Sequence, residues 1–314
     1  MGGPQKLEQV HDYLNQIMTD RDMIQLPFAQ NYLGPWIAKR RTPEVQKKYE
    51  EIGGGSPILK WTNKQGELLC KRLDIVSPKT APHKHYVAFR YVPPYAKDAF
   101  TELERDGVKH AVIFSQYPQY SCATSGSSFN AIYQHFKQKY ITVTVIKQCS
   151  NKHKIVVHCQ RTVNRGDPYP SEVGATVQMV MEELEFCNPY QLVWQSKVGP
   201  LPWLGPFTDD AIAQYMKKGK KNFVIVPIAF VNEHIETLHE LDIEYCKELA
   251  EKVGVEEIRR VPTPNDHPLF IEALTSIVNN HLQNKIAVGS KFLHRCPHCV
   301  NASCYHSKKW YSEV

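Results

Sequence analysis

Eight consecutive residues, Glu233-His234-Ile235-Glu236-Thr237-Leu238-His239-Glu240, gather carboxylates and imidazoles where the sequence reads as the start of a helix. Four residues apart on a helix, Glu236 and Glu240 share a face, and their like charges repel unless a cation or a proton neutralises one of them. His234 stands beside Glu233 and two residues from Glu236. Such a group can bind a divalent cation or exchange protons near neutral pH. The plainer reading is an acidic helix N-terminus favoured by the macrodipole. A second group lies near the C-terminus, Cys296-Pro-His-Cys299-Val-Asn-Ala-Ser-Cys304. Three thiolates at this spacing can converge on one metal centre but leave a four-ligand site incomplete. A fourth ligand must come from elsewhere, and for zinc His298 or His306 could supply it. Spacing alone leaves zinc and an iron–sulfur cluster both open.

Two loops add polar atoms. Gly53-Gly54-Gly55-Ser56 could cradle an anion with backbone N–H groups, although it lacks the lysine and spacing of a P-loop and reads more readily as a plain turn. Tyr117-Pro118-Gln119-Tyr120-Ser121-Cys122 places a thiol and several hydroxyls just past an apolar strand. Activation of a catalytic thiol there would need a histidine or helix N-terminus nearby, whereas a buried or metal-bound thiol needs neither.

These groups must be carried by elements, and the hydrophobic periodicity supplies them. Leu7, Val10, Leu14 and Ile17 mark a helix over 5–20, and further helices are predicted near 43–51, 95–106, 172–185, 208–218 and 235–252. Tyr86–Tyr91 and Ala111–Phe114 read as strands, and Gln191–Trp194 and Asn222–Pro227 as buried strands. Strands alternating with helices predict βαβ units with parallel sheets. The expected architecture is therefore α/β, with two similar Rossmann-like lobes over 1–150 and 151–285 and a cleft between them, followed by a C-terminal extension over 286–314. Residues 136–161 break the rhythm, and the first lobe is expected to end near Phe136. The apolar stretch over 23–37 is too short and irregular to span a bilayer and reads as a core-covering loop or a lip that dips into a membrane surface.

The chain has 314 residues, a formal net charge of +6 and nine cysteines. An odd cysteine count, with no signal-peptide or transit-peptide pattern at Met1-Gly2-Gly3-Pro4, argues against a secreted disulfide framework. The mild positive charge is spread along the chain, without the basic stripe interleaved with aromatics that a nucleic-acid binder would show, so no nucleic-acid partner is expected.

Read together, Ile52-Gly-Gly-Gly-Ser-Pro57, Phe89-Arg90-Tyr91, Gln116-Tyr-Pro-Gln-Tyr-Ser-Cys122, Asn164-Arg-Gly-Asp-Pro-Tyr-Pro170, Trp194-Gln-Ser-Lys-Val-Gly-Pro200 and His234-Ile-Glu236 resemble the ferrochelatase family, in its order and over most of the chain. The resemblance implies the chelatase-like fold and insertion of ferrous iron into protoporphyrin IX, the last step of haem biosynthesis. It implies a 2Fe–2S cluster on Cys122, Cys296, Cys299 and Cys304, as in the animal enzymes. Porphyrin contacts fall on Arg41, Tyr49 and Ser56, with Met1, Arg90, Tyr117, Trp203 and Phe230 at further pocket positions. His234, Glu236 and Glu240 match the acidic side of the pocket that passes protons or metal. A homodimer, contact with the matrix side of the inner mitochondrial membrane and an iron-donor protein are implied in the same way.

This chain also departs from the family pattern. A strand that precedes Met-Gly-Gly-Pro in the family has no counterpart before Met1, which would leave neighbouring backbone groups unpaired. Some tens of residues before Asn164 are missing or replaced, including the family's Ser-Ala-His-Ser-Leu-Pro segment, and His158 is the nearest equivalent of its histidine. The alternative expectation is accordingly a porphyrin- and cluster-binding isoform with impaired catalysis.

Overall fold

The computed structural model describes residues 1–24, 26, 28–136, 142–147, 166–197, 202–284 and 302–313. Helix α1 (Val10–Thr19) places Val10, Leu14, Ile17 and Met18 on one buried face. It lies against α2 (Gln30–Glu51), where Ala38, Val45 and Tyr49 complete a shared core. Next comes α3 (Ile58–Val76) and then α4 (Ala96–Arg105), whose first turn is capped by Asp98 accepting from the Tyr95 N–H at 2.7 Å.

Two βαβ units supply the sheets. Strand β1 (His110–Ser115) leads through a π-wound turn (Cys122–Gly126) and α5 (Ser127–Phe136) to the parallel strand β2 (Thr142–Lys147), with His110 opposite Thr142. After α6 (Tyr169–Glu183) and α7 (Thr208–Lys217), β3 (Asn222–Ile225) is followed by a wide, π-wound helix α8 (Glu236–Leu249). That helix continues as an α-helical turn over Ala250–Val253 and leads to the parallel strand β4 (Glu257–Arg260). Helices α9 (Pro268–Asn284) and α10 (Ala302–Glu313) close the chain. The fold class is α/β with parallel sheets and follows the expected chelatase-like pattern.

Several expectations are corrected. The first half does not end at Phe136, because the β-branched run Thr142–Ile146 forms β2 and pairs with β1. Residues 86–91 form a single bridge, Phe89 to Tyr95, and Gln191–Trp194 likewise only Trp194 to Phe207. Their backbone groups find partners in turns instead: Phe89 N donates to Pro94 O, Tyr91 N to Met1 O and Trp194 N to Pro206 O. Strand β3 is not buried on both faces, and Val224 on its outer face is 69% exposed.

Cores link distant stretches of sequence. Leu69 and Leu73 of α3 meet Ile271, Leu274 and Val278 of α9. Tyr311 of α10 is buried with Phe100, Leu103 and Phe129, which attaches the tail helix to α4 and α5.

Candidate active site

Helix α8 begins where the chain leaves β3, and a buried ion pair fixes that junction. Arg260 Nη1 donates to Glu233 Oε1 at 2.9 Å and holds Asp242 with Nε and Nη2. Glu233 also accepts from Thr237 Oγ1 at 2.5 Å and from Thr263 N at 3.0 Å. Burial works to raise the Glu233 pKa, but these donors outweigh it and hold the carboxyl below the usual carboxylate range. Glu233 thus anchors the helix, with both carboxylate oxygens engaged by neighbouring donors.

The next turn is different. Glu240 is raised to about 7, first by burial and then by the Glu236 charge. Ser196 Oγ lies 2.5 Å from Glu240 Oε2 and 3.2 Å from Glu236 Oε2, and Gln195 Nε2 donates to Glu240 at 3.2 Å. The backbone of Ser196 sits in the left-handed region at φ 58°, a conformation that costs a non-glycine residue about 1 kcal/mol or more. The serine hydroxyl is thereby aimed between two carboxylates. His234 Nε2 lies 3.6 Å from Glu236 Oε1, while its Nδ1 is buried with no hydrogen-bond partner among the described residues. The Phe230 ring meets the imidazole edge-on at 4.4 Å.

Four phenols from four elements surround this acidic end: Tyr13 of α1, Tyr49 of α2, Tyr117 after β1 and Tyr169 of α6. Burial raises all four well above the ordinary phenol range, and the Glu236 charge adds to each shift. They therefore stay neutral, and the surroundings of Glu236 are aromatic with weakly polar edges. The N-terminal segment closes this wall. Met1 N donates to Tyr117 Oη, Ser56 N donates to Pro4 O at 2.7 Å, and Gly3 lies against the Ser56 hydroxyl.

The remaining expected pocket residues are less concentrated. Arg41 is half-buried on α2 with no ion pair among the described residues. Arg90 is already neutralised, donating through Nε to Asp20 Oδ2 at 2.8 Å and through Nη1 to the Ser127 carbonyl. Trp203 is half-buried before α7. His158, Cys296 and Cys299 lie outside the described residues. Tyr13, Tyr169, Gln195 and Ser196 were not singled out from the sequence; Tyr169, Gln195 and Ser196 stand within motifs that carried the family resemblance, which was the available signal.

Cys122 opens the π-wound turn before α5, and its backbone N–H donates to the buried Asp167 carboxylate at 3.0 Å. Cys304 is buried on α10, which docks on α5 through Ser307 Oγ to Asn130 Oδ1 at 2.6 Å and through the Tyr311–Phe129 ring contact at 5.9 Å. The two thiols are thus carried on contiguous packed elements, as a shared centre would require. Among the described residues, no set of three or more His, Cys, Asp or Glu side chains forms a metal site, and no helix is long and apolar enough to cross a membrane.

A family model described as ferrochelatase matches residues 1–161 and 155–282. The chain is 59% identical to the mitochondrial ferrochelatase of Drosophila melanogaster, covering all of this chain and 90% of that protein. Identity is 49% to the mitochondrial ferrochelatase of Homo sapiens, over 99% of this chain and 81% of the relative. For the corresponding protein of Dictyostelium discoideum it is 42%, with 97% and 85% covered. The Drosophila alignment spans 347 positions, more than the 314 residues of the chain, so that relative carries residues with no counterpart here. On matches of this extent and identity, the chain belongs to the ferrochelatase family.

Proposed function

We propose that this protein inserts ferrous iron into protoporphyrin IX to form protohaem. The observation that carries the reading is the acidic cluster among the buried phenols: His234, whose buried Nδ1 has no hydrogen-bond partner among the described residues, beside two carboxylates, one of which holds its proton to about pH 7. Metallation replaces two pyrrole protons by one Fe²⁺, so the site must accept two protons near neutral pH. Ionised Glu240 takes one. The other goes to the Nδ1 of His234, with Glu236 3.6 Å from Nε2 to stabilise the resulting imidazolium. Ser196 holds the carboxylate pair in place. The neutral tyrosines suit a flat, apolar macrocycle and add no charge that would compete for iron. Arg41, with no ion pair among the described residues, is available to a propionate, whereas Arg90 is engaged by Asp20 and serves to hold the pocket wall.

The tail supports the animal-type 2Fe–2S cluster, with Cys122, Cys296, Cys299 and Cys304 as its thiolates. When bound, the cluster supplies visible absorbance and a covalent tie between the tail and the Cys122 turn. The exposed Phe28, Tyr32 and Trp36, with Arg40 stacked on Trp36, support peripheral contact with an anionic membrane surface. Mitochondrial residence, on the matrix side of the inner membrane, and pairing into a homodimer follow the family resemblance.

A second reading has its own support. The family model matches as two segments that meet at residues 155–161 instead of one continuous stretch, which supports a missing or replaced piece near His158 and favours an isoform that binds porphyrin and cluster with impaired turnover. Anaerobic assay of the purified protein with protoporphyrin IX and Fe²⁺ decides between the two. Haem formation that is lost in His234→Asn supports the enzyme. Tight porphyrin binding by a red-brown protein that makes no haem establishes the isoform, and colourless protein removes the cluster.

A further inference from the structure

His239 stands one residue before Glu240 and is buried, with only 5% of its surface exposed. Each ring nitrogen meets a carboxylate. Nε2 lies 2.7 Å from Glu51 Oε2 at the end of α2, and Nδ1 faces Glu244 Oε1 of α8 across 3.3 Å without the alignment of a hydrogen bond. Lys48 of α2 reaches the same Glu244 oxygen at 2.7 Å. Glu51, His239, Glu244 and Lys48 therefore form one row of contacts that crosses twice between α2 and α8. Lys47, 3.8 Å from Glu51, and Glu44, 3.9 Å from Lys48, extend the row outward.

The spacing inside α8 is informative. His239 and Glu244 are five residues apart, the repeat of a π-turn. In an α-helix, residues five apart point about 140° away from each other. The contact can close only while this stretch is wound wide. Winding in turn sets where Glu236 and Glu240 point, since they lie three residues before and one after His239.

We propose that His239 is a positioning residue, which locks the wide winding of α8 onto α2 and so aims Glu236 and Glu240 at the phenol-lined pocket. Its kinetic consequence rests on the iron-insertion reading, whereas its structural consequence stands without it. His239→Leu removes both contacts from within; Glu51→Leu, at a half-exposed position, removes one from outside with little risk to folding. Hydrogen exchange read by mass spectrometry is expected to quicken about ten-fold in peptides covering 236–249 in both variants, with peptides of β1 and β2 unchanged. Haem formation should show kcat about ten-fold lower at an unchanged KM for protoporphyrin. His239→Gln, whose NH2 group can donate to both carboxylates, should recover most of each loss. Unchanged exchange over 236–249 in Glu51→Leu, a uniform rise across all peptides, or no recovery in His239→Gln would overturn the assignment. If the parent protein makes no haem, the functional proposal falls and the exchange result still decides this one.

Discussion

Glu240 retains its proton to about pH 7 because burial and the Glu236 charge both oppose ionisation. Iron insertion should therefore lose rate as pH falls through 7, the acid limb reporting the carboxylate pair. Glu240→Gln should lower kcat by about a hundred-fold or more and abolish that limb in a pH–rate profile. The same substitution should stabilise the fold. A Glu raised from about 4.5 to about 7 on folding takes up a proton in that window, so stability declines as pH rises across it. Removing the ionisable group should return up to about 3 kcal/mol at pH 8 in urea denaturation. At this scale the sequence was legible where roles are local, as for the Glu236/Glu240 spacing. It did not reveal that neighbouring Glu233 is an anchor, because Arg260 and Thr263, which tie it down, lie 27 and 30 residues further on. Nor could it single out Tyr13, which reads as one more position on an amphipathic helix.

Helix α2 serves two neighbours at once. Near its C-terminus Tyr49 is buried in the core and Glu51 reaches His239 of α8, while Tyr32 and Trp36, one turn apart, point outward with Phe28 just before the helix; the three are 82%, 58% and 72% exposed. Replacing these three by serine should weaken cosedimentation with anionic vesicles at least ten-fold while leaving kcat on detergent-dispersed porphyrin unchanged. The turn that follows α2 depends on close approach rather than looseness. A Cβ on Gly55 would fall 2.2 Å from the Gln5 carbonyl oxygen, and Gly53 and Gly54 have φ of 104° and 91°. Helices such as Val10–Thr19 and Thr208–Lys217 were legible because their buried faces repeat every three or four residues. Strand β2 was not, since its partner lies 32 residues earlier and its short β-branched run resembles a linker. The π winding of α8 also escaped notice, because an apolar pattern does not distinguish five-residue turns from four.

Across the whole molecule, two βαβ units are held together by helices from the opposite end of the sequence, α9 on α3 and α10 on α4 and α5. Tyr311 is 1% exposed, and its hydroxyl donates to the Phe129 carbonyl at 3.2 Å. Tyr311→Ala should cost about 3 kcal/mol by thermal or chemical denaturation, and should lower cluster occupancy, seen as weaker visible absorbance per chain. The alternation of strands and helices was readable along the sequence, but these clasps were not, because long-range packing leaves no local pattern. The phenols around Glu236 also give the folded state an optical signature. In an alkaline titration followed near 295 nm, surface tyrosines should ionise first. The phenolate absorbance of Tyr13, Tyr49, Tyr117 and Tyr169 should appear only as the protein opens, in a late step that lags on the return to neutral pH. The pocket would thus record its own integrity in ultraviolet light, without porphyrin or iron present.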